Sequence, residues 1–130
     1  MHDDSTMNFF DAQTDLPALS RRLATQQGLV VACYCAAWCD TCGQYREGFA
    51  DVARRHPEHV FAWIDIEENE ALLDDEEVEN FPTLLVQSSR GNLFFGPMLP
   101  YPEHLERLLQ SMDDTQAATQ PGPGLLKHLL

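Results

Sequence analysis

At 130 residues the chain has the length of one domain with one core, and a hydrophobic content of 44% argues against global disorder. A formal net charge of -13 argues against a partner gripped through its phosphate backbone and against an anionic membrane surface. No run approaches 18 apolar residues, and residues 1–7 lack the basic region and apolar stretch of a secretory signal, so the expectation is a soluble, cytoplasmic monomer.

In chain order, residues 8–10 read as a short edge strand. A helix opens at Thr14 or Asp15, takes Pro17 in its first turn, sets Leu16, Leu19 and Leu23 on one face and stops at Gly28. Residues 29–36 carry no charge, which is the pattern of a strand buried on both faces. From Thr41 the apolar positions Tyr45, Phe49, Val52 and Ala53 fall at helical spacing until His56-Pro57 ends the run. Residues 60–66 read as the next strand and residues 70–75 as a short acidic helix. Residues 83–87 and 93–95 form a hairpin whose turn uses Gly91. Leu105, Leu108, Leu109 and Met112 mark a last helix that begins at Pro102. The predicted order, β-α-β-α-β-α-β-β-α, is an α/β architecture with helices on both faces of a mixed sheet. The domain is expected to cover residues 1–112, with 113–130 a flexible C-terminal tail rich in Pro and Gly.

The chemistry concentrates where the buried strand hands over to the second helix. Cys39 and Cys42 are separated only by the spacer Asp40-Thr41. The first turn of a helix has unpaired N–H groups and partial positive charge, so a thiolate there is stabilised. Such a thiolate attacks a disulfide, and a second thiol one turn further on resolves the mixed disulfide. Cys39, next to Trp38, is the expected attacker and Cys42 the resolver. Structural zinc needs four ligands, and no second pair at metal spacing follows, so neither a metal nor a dissociable cofactor is expected.

Trp38-Cys39-Asp40-Thr41-Cys42 resembles the W-C-x-x-C active site of the thioredoxin-like proteins. Val78-Glu79-Asn80-Phe81-Pro82-Thr83 resembles their second motif, whose proline is cis and lies against the cysteine pair. The resemblance covers about residues 8–112. It implies a thioredoxin-like fold, exchange of protein disulfides, regeneration by a reductase or thiol reductant, and a substrate surface made by Trp38, Phe81 and Pro82. Two departures stand out. Cys33 occupies the position where many relatives keep a buried acid that assists the second cysteine, and Asp40 replaces the first residue of the usual Gly-Pro spacer.

Several residues admit a plainer explanation. Cys33 and Cys35 lie on one face of a regular strand and read as small buried hydrophobes, with an auxiliary thiol as the sharper alternative. Nine of the 21 acidic residues lie in 65–79, a solvated face by default and a dock for a basic partner otherwise. The five histidines read as surface residues without metal spacing. Two functions follow: a thiol-disulfide oxidoreductase, or a binding or assembly module that keeps the fold for partner or thiol-metal capture.

Overall fold

The computed structural model describes residues 8–25, 28–113 and 115–130. Its five strands are β1 (Phe9–Asp11), β2 (Val30–Cys35), β3 (Val60–Asp65), β4 (Thr83–Ser88) and β5 (Gly91–Pro97), in the spatial order β1-β3-β2-β4-β5. β1, β3 and β2 run parallel, and β4 and β5 join antiparallel. The helices are α1 (Leu16–Ala24), α2 (Asp40–Arg55) and α3 (Pro102–Gln110). The acidic helix expected at 70–75 is a 3-10 turn, Glu70–Leu73, ended by Asp74 at φ 57°. Only Leu72 of that segment is buried, too little apolar surface to hold a longer helix against the sheet.

Alternation along β2 assigns the layers. Val31, Cys33 and Cys35 face a cluster with Tyr45, Phe49 and Val52 of α2 and with Leu105 and Leu109 of α3. Val30, Ala32 and Tyr34 face a second cluster with Leu19 and Leu23 of α1, Ile64, Leu72 and Leu126. All six residues of β2 are buried, as expected of a central strand with both faces covered. α2 and α3 meet where Gly48 lies against the Pro102 ring, which occupies the space a Cβ would need.

Asn8 connects the sheet edge to the end of α2. Its side-chain amide, in a residue only 6% exposed, donates to the carbonyls of Ala53, His56 and His59 at 2.7, 2.9 and 3.2 Å. Two of these belong to the last turn and C-cap of the helix, where the Ala53 and His56 carbonyls also accept the backbone N–H groups of His56 and His59.

The segment after Met112, expected as a flexible tail, runs back over the α1 side of the sheet. The buried Gln87 side chain donates to Asn92 Oδ1 and to the Gly124 carbonyl, and its Oε1 accepts from Leu126 N–H at 3.2 Å. Asn92 donates to the Pro123 carbonyl at 2.9 Å. Leu126, in a closing 3-10 turn (Leu126–His128), is 1% exposed. Among the described residues no helix is long and apolar enough to cross a membrane.

Candidate active site

α2 begins at Asp40, so Cys39 is its N-cap, with an extended backbone (φ -91°, ψ 113°). Its carbonyl accepts the Gly43 N–H at 3.2 Å, the first bond of the helix. No side chain caps the helix, which leaves the first-turn N–H groups free to stabilise an anion on the Cys39 sulfur. Cys39 is half-buried and Cys42, one turn inward, is 2% exposed. Of the spacer, Asp40 is exposed and Thr41 half-buried.

Trp38 is 66% exposed and packs edge-to-face on Phe81, ring centroids 5.4 Å apart. The Phe81-Pro82 peptide bond is cis, and the Pro82 carbonyl accepts the Met98 N–H at 3.1 Å. Trp38 and Phe81 therefore form one apolar surface beside Cys39, with Leu99 and Tyr101 as further exposed apolar side chains on the segment between β5 and α3. Pro82 itself is buried.

The disulfide in the structure is not between Cys39 and Cys42, the pair singled out by the sequence. It joins Cys35 of β2 to Cys42, with Cα atoms 5.8 Å apart, and leaves Cys39 and Cys33 as free thiols. The Cys33 sulfur lies 3.6 Å from that of Cys35. A disulfide sulfur carries no proton, so Cys33 is the donor of this weak hydrogen bond. Burial pushes the Cys33 thiol well above its usual range and keeps it protonated. Strand alternation placed Cys33 and Cys35 on one face of β2 without saying which helix covers it. The missing information was that the first turn of α2 descends onto the last residue of β2.

Tyr45, one turn along α2 from Cys42, has a buried hydroxyl without a partner. Burial pushes its ionisation upward, and Cys33 is near enough that its negative form adds to that shift. A cleft of about 190 Å³ reaches the Cys35–Cys42 pair from the side, bounded by Asp11, Arg46, Trp63 and Asp65. Arg46 pairs with Asp11 at 2.8 Å and lies over the rings of Phe9 and Trp63.

Two histidines expected at the surface are packed instead. His56 and His59 stack with centroids 5.8 Å apart, and their side chains are 16% and 13% exposed. With Glu58 they bring three potential metal donors within 4.8 Å of one another. The donor set does not suit a metal. His59 Nδ1 accepts the Leu29 N–H at 3.0 Å, so the neutral ring keeps its proton on Nε2, the atom that lies 3.7 Å from Glu58. The His56 Nε2 is engaged by Glu106 of α3. The acidic segment 65–79 is largely exposed, and Asp65 turns back to accept the N–H groups of Glu67 and Glu68.

Comparison with known proteins agrees with this architecture. The thioredoxin family model matches residues 13–94. A curated thioredoxin from Geodia cydonium is 29% identical over 55 residues, 42% of this chain and 52% of the relative, so the match spans about half the length of that protein. Among solved structures, the germline-specific thioredoxin Deadhead of Drosophila melanogaster superposes with a TM-score of 0.65 at 19% identity, covering 75% of this chain and 93% of its own. Thioredoxin from Trypanosoma brucei brucei gives 0.65 at 22% identity, covering 85% and 94%. Thioredoxin from Schistosoma mansoni gives 0.66 at 16%, covering 84% and 97%. At these identities the structural matches establish the fold.

Proposed function

The chain belongs to the thioredoxin family, and from that premise we propose that it is a thiol-disulfide oxidoreductase acting on protein disulfides, with Cys39 as nucleophile and Cys42 as resolving thiol. One observation carries the proposal: Cys39 is the N-cap of α2, half-buried beside the Trp38–Phe81 surface, with Cys42 one turn inward. A thiolate there attacks a client disulfide, and Cys39 becomes joined to one client sulfur while the other leaves as a thiol. Cys42 then attacks Cys39, releases the client reduced and closes the pair. A thiol reductant or reductase restores both thiols, and the clustered cysteines suit a reducing, cytoplasmic setting. Trp38, Phe81 and the backbone around Pro82 would hold the client segment.

A second reading has its own support. Cys42 is bonded to Cys35, and a permanent bond there would leave Cys39, half-buried, as the accessible free thiol of a binding module. Insulin reduction by the wild type, Cys39→Ser and Cys42→Ser separates the two. Turnover by the wild type only, with Cys42→Ser accumulating mixed disulfides through Cys39, is the expected result. Equal partner capture when both cysteines are replaced, without wild-type turnover, would establish the binding module instead.

A further inference from the structure

We propose that Cys35 is a third redox residue, and that Cys42 exchanges its disulfide between a buried partner, Cys35, and an outer partner, Cys39. The inference rests on the oxidoreductase reading and adds a second, protected oxidised form to it. Three observations meet at this place. Cys42 is bonded to Cys35, the last residue of β2. Cys39, three residues before Cys42 at the mouth of α2, is a free half-buried thiol. Cys33, a protonated thiol, sits 3.6 Å behind Cys35.

The exchange is balanced without an added oxidant. Cys39 loses its proton and its thiolate attacks the Cys42 sulfur. The Cys39–Cys42 bond forms as the Cys42–Cys35 bond breaks, and Cys35 leaves with the bonding electron pair. Cys35 then takes up one proton, so the molecule has one disulfide and the same number of protons before and after. The departing sulfur is not stranded in an apolar core. Cys33 S–H already points a weak hydrogen bond at it, and the unpartnered Tyr45 hydroxyl, close to Cys33, is a further donor in the same corner. The cleft bounded by Asp11, Arg46 and Asp65 reaches both Cys35 and Cys42 and offers water a route for the proton.

The two oxidised forms differ in access. In the form bonded through Cys35 both linked residues are 2% exposed, so a bulky client meets only the Cys39 thiol. In the form bonded through Cys39 the disulfide reaches the Trp38–Phe81 surface. The inner bond thus stores an oxidising equivalent that Cys39 brings to the surface.

Chymotryptic mapping of the oxidised, alkylated and acid-quenched full chain tests this. Cleavage after Tyr34 and Trp38 separates Cys35 from the 39–45 peptide, so an inner bond cross-links two peptides whereas an outer bond is internal to one. Cys39→Ser should oxidise to the cross-linked form and Cys35→Ala to the internal one. In glutathione buffer, loss of Cys35 should lower the oxidation equilibrium constant by roughly tenfold. Circular dichroism checks that each variant is folded. If Cys39→Ser stays fully reduced under conditions where Cys35→Ala closes its pair, the exchange is refuted, even with insulin reduction intact. Absence of insulin reduction with both bonds detected would instead overturn the activity and leave the alternative pairing standing.

Discussion

Asp40 is the neighbour of Cys39 whose charge we expect to tune the pair. It is exposed, immediately follows Cys39 and places a carboxylate at the helix start, where it opposes a second negative charge on the neighbouring sulfur. A less stabilised Cys39 thiolate would favour the Cys39–Cys42 bond over the dithiol. In a Cys35→Ala background, where oxidation can close only that outer bond with Cys42, Asp40→Asn should therefore move the equilibrium with glutathione toward the dithiol by roughly two- to threefold. The reduction potential of the double variant beside Cys35→Ala checks the sign, and a more reducing double variant would refute this role. Cys33 acts differently. Its thiol stays protonated in the core, so it donates a weak hydrogen bond to the Cys35 sulfur.

Among the elements, α2 bears most of the site, and its far end is held as carefully as its start. The amide of Asn8 satisfies carbonyls at the C-terminal end of α2 and in the loop that follows, and it does so from the start of the first strand. Asn8→Ala removes the side-chain donor that these three carbonyls share, two of which keep a backbone N–H, and should cost about 1 kcal/mol, read as a lower urea midpoint at unchanged slope. Insulin turnover should survive at temperatures where the variant is folded, because Asn8 is at the opposite end of α2 from Cys39. The end of α2 is further tied to α3 by Glu106, which engages both Arg55 and His56.

At the scale of the whole molecule, the C-terminal segment completes the α1 side of the sheet. Ending the chain at Met112 would expose Leu72 and Phe95 of the second cluster, remove Leu126, and deprive Gln87 and Asn92 of their partners at Pro123, Gly124 and Leu126. The loss should be about 4 kcal/mol, measured by urea unfolding. An unchanged midpoint would mean that the segment contributes nothing to the core. Stability should also decline in alkali. Burial raises the ionisation of Cys33, Tyr34 and Tyr45, with Asp74 and Glu76 adding to the shift at Tyr34. The unfolded chain releases these protons near pH ~8.5 for the thiol and ~10 for the phenols, while the folded chain retains them. Their contribution is therefore intact below those values and is lost progressively as pH rises from them toward the raised values of the folded chain. Under reducing conditions Cys33→Ala should flatten the first part of that decline, as followed by urea midpoints between pH 8 and 11.

Local patterning made most of the scaffold legible. The uncharged run before Ala37 and the 3.6-residue spacing of Tyr45, Phe49 and Val52 depend on near neighbours in the chain and yield β2 and α2; the hairpin is where its pattern put it, except that β5 starts earlier, at Gly91, and ends later, at Pro97. The spacing of Cys39 and Cys42, with Trp38 before them and Phe81-Pro82 downstream, points to one candidate site, and the structure brings Trp38 against Phe81. What sequence alone left open involves contacts between elements. Cys35 meets Cys42 because the first turn of α2 lands on the end of β2, the Pro123, Gly124 and Leu126 backbone is held by two buried amides from β4 and β5, and the histidines at 56 and 59 are enclosed by neighbouring segments. Periodicity tells which face a side chain takes, but the partner across that face depends on how the layers stack, and that is decided only when the chain closes on itself.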